Sequence, residues 1–266
     1  MRFCPLASGS SGNCVYIGSE STHLLVDVGI SGKRTEEALH QMSLEGYDIG
    51  AVLVTHEHSD HVKGLGVFSR KWGAPIYATE NTFEAILRDP SLGRIDQGLF
   101  HVIHPDVPFT IGDMTVNPMH ISHDAADPVA YRISHGNRNV AVCTDLGTFD
   151  SYTVDGLQDM DGLLLEANHD VRMLQAGPYP YYLKQRILGD RGHLSNENSG
   201  RLLSRILSDR TGFVFLGHLS RENNMPELAY EAVRAEVDLS DTPFHADDFQ
   251  VIVAKRDEPS TMVCLA

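Results

Sequence analysis

Cysteine is scarce and scattered. Cys4, Cys14, Cys143 and Cys264 form no C-x-x-C pair, which argues against a disulfide framework and against a thiolate zinc ribbon. Positive charge is also in short supply. The chain has 21 Lys plus Arg against 36 Asp plus Glu, a formal net charge of −15. A chain this acidic is not a general polyanion binder, so any contact to nucleic acid or phosphate must be local, through a basic patch or bound cations. No apolar run approaches the roughly 18 residues that crossing a membrane takes. Met1-Arg2-Phe3-Cys4-Pro5 leads into a Ser/Gly stretch and not into an apolar segment, so no signal peptide or membrane partner is expected and the default compartment is the cytoplasm. Low-complexity tracts, long linkers and fixed-period repeats are missing too. The expectation is one continuous domain over residues 1–266, with 42% hydrophobic residues to fill a core.

What the chain has in quantity is histidine, 14 residues, and their placement is informative. Short β-rich runs predict strands at Cys14–Ile17, Leu24–Val28, Ala51–Thr55, Ile76–Ala78, Thr115–Asn117, Val129–Ile133, Val140–Thr144, Gly162–Glu166, Phe213–Leu216 and Phe249–Val253. Helical spacing appears at Arg34–Met42, Val62–Trp72, Thr82–Arg88, Tyr181–Leu188, Glu197–Leu207 and Pro226–Val237, with Ser195-Asn196 as a start signal for the fifth. This pattern suits an α/β chain of the α+β type, two sheets covered by helices in a four-layer αββα sandwich. A doubly wound parallel sheet fits less well, because the alternation is irregular and no G-x-G-x-x-G follows the first strand.

The segment Val52-Leu53-Val54-Thr55-His56-Glu57-His58-Ser59-Asp60-His61 carries the chemistry. An apolar strand ends and four potential ligands follow. Residues i and i+2 of extended chain share a side, so His56 and His58 can hold one ion together. Asp60 and His61, at the turn into the next helix, can face a second. Neutral imidazole suits zinc, manganese, iron or nickel, and a carboxylate widens the choice towards harder ions. One loop cannot complete two coordination shells, so later strand ends must contribute. His123 follows Thr115–Ile121, with His120 as its rival. Asp145 ends the strand Val140–Thr144 and could bridge two ions, or merely cap the next turn. His193 and His218 lie in matching Gly-His-Leu-Ser contexts, and His218 again follows an apolar run.

His56-x-His58-x-Asp60-His61, with His123, Asp145, His218 and the strand-end Asp27, resembles the metallo-β-lactamase-fold hydrolases over almost the whole chain. Ala7-Ser8-Gly9-Ser10-Ser11-Gly12-Asn13, His123-Asp124-Ala125, Glu166-Ala167-Asn168-His169-Asp170 and the paired Gly-His-Leu-Ser motifs are similar to its YycJ/WalJ branch, which is related to the RNase Z and PhnP phosphodiesterases. The resemblance implies the αββα fold, two divalent metal ions per chain and hydrolysis of phosphodiesters, as a 5′-exonuclease on DNA ends. It implies one metal on His56, His58 and His123, another on Asp60, His61 and His218, and Asp145 between them. It implies that Asp27 supports the metal loop from behind. His193 matches a non-ligand histidine over the leaving group, with Glu166 beside it, and Asp60 is counted with these two in the catalytic set. True β-lactamases lack a bridging residue like Asp145 and often carry cysteine there. Here Cys143 lies two residues earlier on the same side, so antibiotic hydrolysis is disfavoured.

Such a metal pair, zinc or manganese foremost, with iron and nickel also suited, would share a bridging hydroxide as the nucleophile. His193 would protonate the leaving oxygen, unless it is a structural histidine bonded to a turn. Between Lys184 and Arg221, seven basic residues (Lys184, Arg186, Arg191, Arg201, Arg205, Arg210, Arg221) face only Asp190, Glu197 and Asp209. This stretch reads as a phosphate track or as a solvated helix face. Arg191, Arg221 and His169 are the expected substrate contacts. Tyr179, Tyr181 and Tyr182 could stack on bases or simply pack a loop. Ser8–Asn13 lacks the lysine and length of a P-loop and reads as a tight turn. Two other functions use the same residues: a small-molecule enzyme acting on cyclic phosphodiesters, thioesters or lactones, and a non-catalytic metal-bearing regulator.

Overall fold

Every strand expected from an apolar run is present in the computed structural model, which describes residues Met1–Ala266. The strands are β1 (Arg2–Ala7), β2 (Cys14–Gly18), β3 (His23–Val26), β4 (Ala51–Leu53), β5 (Ile76–Ala78), β6 (Phe100–Val102), β7 (Phe109–Ile111), β8 (Met114–His120), β9 (Val129–His135), β10 (Arg138–Cys143), β11 (Gly162–Glu166), β12 (Phe213–Gly217), β13 (Gln250–Val253) and β14 (Val263–Cys264). The helices are α1 (Gly32–Gln41), α2 (Ser59–Val62), α3 (Leu65–Trp72), α4 (Glu80–Arg88), α5 (Ser151–Leu157), α6 (Val171–Ala176), α7 (Tyr181–Leu188), α8 (Asn196–Ile206) and α9 (Pro226–Asp238). They form two mixed seven-stranded sheets flanked by helices, ordered β14-β1-β2-β3-β4-β5-β6 and β13-β12-β11-β10-β9-β8-β7. This is the αββα class expected from the sequence.

The chain divides into two compact units. The first comprises Met1–His120, Ala125–Asn137 and Lys255–Ala266, and the second Ile121–Asp124 and Arg138–Ala254. In the first, β3 and β4 run parallel with Leu25 opposite Val52 and Val26 opposite Leu53. Their carboxyl ends therefore finish level, and Asp27 and Thr55 leave from the same edge. Apolar residues of these strands and of α3, among them Leu25, Val52, Ile76 and Phe68, are fully buried. In the second unit β10, β11, β12 and β13 are parallel, with Cys143 opposite Leu165 and Leu165 opposite Leu216. β11 and β12 are buried at every position, as parallel strands covered on both faces must be, which is why they read as continuous apolar runs. Their level carboxyl ends deliver Asp145, Glu166 and His218 to one edge. The carboxyl edge of a parallel sheet is where such folds place ligands.

Four departures from expectation have simple causes. The helix expected over Val62–Trp72 is two helices, α2 and α3, broken at Gly64. The Gly64 N–H bonds the Val28 carbonyl at 2.8 Å, and a Cβ there would collide with the Ile30 carbonyl. Strand β1 was hidden by Pro5, which is tolerated because β14 pairs only with Arg2 and Phe3. Strands β6, β7 and β14 are three residues or fewer, too short to show alternation. Helices α5 and α6 span only 7 and 6 residues, too few to repeat an apolar face; each is started by an aspartate, Asp150 and Asp170, whose side chain accepts from a first-turn N–H.

Candidate metal centre

Each unit assembles its own group of candidate ligands. In the first unit the chain leaves β3 through Asp27, held in the left-handed region at φ 61°. Its carboxylate accepts the Thr55 N–H and the Thr55 hydroxyl, both at 2.8 Å, and lies 2.7 Å from His61 Nδ1. Burial pushes the Asp27 carboxyl above its ordinary range, while His61 and the Thr55 bonds pull the other way. With Asp27 as acceptor, His61 carries its proton on Nδ1 and presents the Nε2 lone pair. The Asn13 side-chain amide is 3.1 Å from that Nε2 and 3.5 Å from Asp60 Oδ2, and the Asn13 N–H donates to the Asp60 carbonyl at 2.8 Å. A Cβ on Gly29 would collide with the same carbonyl, so only glycine lets the two loops approach this closely. The ring of His56 lies 4.6 Å from that of His58 and 4.1 Å from that of His61. The histidines of H-x-H-x-D-H thus lie ring against ring, and Asp60 Oδ2 is 3.6 Å from His61 Nε2. Asn13 and Thr55 are additions that sequence reasoning missed. Their only signal was adjacency, Thr55 immediately before His56 and Asn13 at the end of the Ser/Gly turn.

In the second unit Asp145 and His218 also sit in the left-handed region, at φ 60° and 54°, a conformation that costs a non-glycine residue about 1–3 kcal/mol. Glu166 is the hub. Its Oε1 lies 2.9 Å from His193 Nδ1 and 2.7 Å from His218 Nδ1. Its Oε2 accepts the N–H groups of Leu146 and Leu194 at 2.8 and 3.1 Å. Burial opposes its charge, but the two histidines outweigh burial and bring its pKa down to about 2. Burial likewise opposes a charged His193, and Glu166 overrides it, so that imidazole is raised above its ordinary range. His123 is buried, donates from Nδ1 to the Gly192 carbonyl at 3.0 Å, and places Nε2 3.6 Å from Asp145 Oδ1. Its rival His120 is largely exposed and lies beside Asp127 at 3.4 Å. Asp145, Glu166, His193 and His218 offer ligand atoms that all lie within 4.8 Å of one another. Cys143 is buried, and burial pushes its thiol well above the ordinary range, with Glu166 and Asp145 adding to the effect.

The donor chemistry suits a divalent ion. His61, His123 and His218 each have Nδ1 on an oxygen acceptor. That arrangement fixes the tautomer with a lone pair on Nε2, as outer acceptors do for metal-binding histidines. A carboxylate, Asp60 or Asp145, accompanies each histidine group.

A family model described as the metallo-beta-lactamase superfamily matches residues 7–218. The chain belongs to this superfamily. Within it, the chain is 42% identical over 229 residues to the exodeoxyribonuclease WalJ of Streptococcus pneumoniae serotype 2, covering 86% of this chain and 85% of the relative. It is 41% identical over 233 residues to the exodeoxyribonuclease YycJ of Bacillus anthracis, covering 88% of each. Among solved structures, zinc-bound PqqB from Methylobacterium extorquens is similar over the full length of both chains, with a TM-score of 0.73 and 16% identity. No helix of this superfamily member is long and apolar enough to cross a membrane.

The structure divides the basic stretch. Arg186 pairs with Asp124, Arg201 with Glu236 and Arg210 with Asp161, while Arg205 lies over the Phe149 ring at 5.5 Å. Lys184 and Arg191 instead bond neutral carbonyls. The Lys184 ammonium donates to Gln175 and Gly177, and Arg191 donates twice to the His123 carbonyl at 3.0 Å. Arg221 is exposed, three residues past His218, with no carboxylate partner. His169 is buried, with both ring nitrogens lacking a hydrogen-bond partner. Burial lowers its pKa to about 4, so it is neutral at physiological pH.

Proposed function

We propose that this chain is a metal-dependent exodeoxyribonuclease that hydrolyses phosphodiester bonds from the 5′ ends of DNA. The observation that carries the reading is the set of imidazoles tautomerically fixed by Asp27, Gly192 and Glu166, in a chain more than 40% identical to two exodeoxyribonucleases over most of both lengths. His56, His58 and His123 would hold one divalent ion and Asp60, His61 and His218 a second, with Asp145 offered to both and Asp27 orienting His61. When bound, such ions supply a nucleophile from water at neutral pH and offset charge on the phosphoryl oxygens. Zinc or manganese is the expected element, and the cytoplasm the expected place of work.

Protein groups do the remaining work. Glu166 fixes the His193 Nδ1–H, so the ring is held with Nε2 free to hand a proton to the leaving oxygen. Arg191 and Arg221 offer cations to flanking phosphates.

The test is incubation of metal-loaded protein with 5′-labelled DNA, 5′-labelled RNA and bis-p-nitrophenyl phosphate, alongside elemental analysis. Release of labelled mononucleotide from DNA, with two transition-metal ions per chain, is the expected result. Turnover of only the generic ester would assign a small-molecule hydrolase instead. Silence on every substrate would leave a metal-bearing regulator.

A further inference from the structure

Helix α7 buries none of its eight residues. Hydrophobic burial is the usual reason for a short helix to persist, so α7 is held by other means, and each of its anchors leads to a candidate site segment. The Lys184 ammonium donates to the carbonyls of Gln175 and Gly177 at 2.7 and 2.8 Å, clipping α7 to the end of α6. Arg186 pairs with Asp124, the residue after His123. At the other end, the Ile187 carbonyl accepts the His193 N–H at 3.0 Å, and the Gly189 carbonyl accepts the Gly192 N–H at 2.8 Å. Arg191 then closes onto the His123 carbonyl. The helix is thus braced on the His193 backbone and on Asp124, the residue after His123.

Its first turn presents Tyr181 and Tyr182, 77% and 75% exposed, with no ring, hydrogen-bond or ionic partner for either side chain. Two adjacent bare aromatic rings are costly surface in a chain whose only other exposed aromatics are Tyr47 and Tyr152. Two exposed cations lie on segments joined to α7 through α6, with Asp170 two residues before one and Glu222 directly after the other. Arg172 on α6 and Arg221 are exposed without an acidic partner. Arg221 sits two residues before Asn223, whose carbonyl accepts the Asp170 N–H at the start of α6. Lys184 and Arg191 spend their donors on neutral carbonyls and keep their charge.

We infer that Tyr181 and Tyr182 form a base-stacking platform for a single strand of DNA, with Arg172 and Arg221 drawing its phosphates. This rests on the exodeoxyribonuclease reading and specifies the substrate as an unpaired strand gripped away from the scissile bond. Tyr181 lies six residues before Ile187, about 9 Å along the helix at 1.5 Å per residue. That is about three stacked nucleotides at 3.4 Å each, so the grip matters only for strands longer than the shortest substrates. Bases of any identity stack on such rings, so the grip is tolerant of sequence.

The experiment measures kcat/KM on single-stranded oligonucleotides from two to twelve nucleotides, for the metal-loaded protein and for Tyr181→Ala/Tyr182→Ala, with bis-p-nitrophenyl phosphate as the short limit. The expected result is a rise in kcat/KM with length in the parent protein. In the double variant that rise flattens, with a loss of about tenfold or more on the twelve-mer that exceeds any loss on the small ester. A variant that keeps the parent's length dependence overturns the proposal while leaving the exodeoxyribonuclease reading intact. A parent that cleaves none of these single strands overturns the platform, and only a parent that also leaves duplex DNA intact overturns the exodeoxyribonuclease reading. Sedimentation showing a parent dimer that the double variant dissociates also overturns the proposal, because the rings then cover a second copy of the chain.

Discussion

Asp27 and Glu166 are both buried carboxylates that hold histidines by Nδ1, yet their environments push them in opposite directions. Asp27 has one imidazole and two donors from a single threonine, and burial wins, raising its pKa. Glu166 has two imidazoles and two backbone N–H groups, and the histidines win, lowering it. Both carboxylates are buried. What differs is the number of donors and partial cations that converge on the oxygens. Glu166 is therefore a firm anion that organises several segments, whereas Asp27 orients one ring.

Removal should make that contrast measurable. Glu166→Ala should be the most damaging change. It strands His193, His218 and the N–H groups of Leu146 and Leu194 in a buried site, and urea denaturation should show a loss of about 3–5 kcal/mol. Glu166→Gln should recover part of it, by keeping two acceptor positions on the amide oxygen. A loss below about 1 kcal/mol for the alanine variant would mean that the four contacts do not act together. Asp27→Asn should leave the fold largely stable but loosen His61. Metal affinity, read by competition with a chelator, should fall about 10- to 100-fold. Unchanged affinity would show that Thr55 and Asn13 alone orient the ring.

Asp161 sharpens the comparison by replacing imidazoles with guanidiniums. Burial opposes its charge, but the Asn139 N–H, Arg210 and Arg138 outweigh it and hold the carboxyl below the usual range. A depressed folded pKa contributes stability above the ordinary aspartate value of about 3.9, and that contribution is lost as pH falls through the folded value. The expected outcome is the smallest of the three. The pH–stability curve of Asp161→Asn should be flatter below about pH 4 than that of the parent. Superimposable curves would remove Asp161 from the acid response.

Much of the candidate site was readable because imidazoles and carboxylates at strand ends leave local marks. Val52–Val54 and Phe213–Leu216 are apolar runs that lead to His56 and His218; β12 ends at Gly217, next to His218, and β4 at Leu53, three residues before His56. The choice between His120 and His123 was not local. His120 ends β8 on the solvent side, while His123 is drawn inward by the Gly192 carbonyl, 69 residues away in sequence. The basic stretch was equally undecidable from the residues, since Arg201 and Arg210 are neutralised by Glu236 and Asp161, both outside the segment. The left-handed backbone at Asp27, Asp145 and His218 left no trace at all, because none of the three is glycine.

The sequence by itself determined the sheets, through apolar runs that can only be buried, and the kind of site, through imidazoles and carboxylates packed too densely at strand ends to serve as surface. Tertiary structure decided which nitrogen of each histidine carries the proton, which cations keep their charge and where Tyr181 and Tyr182 stand. Those are pairwise matters. Each depends on an acceptor or a counter-ion contributed by a distant stretch of chain, and short-range pattern holds no information about a partner that only folding brings near.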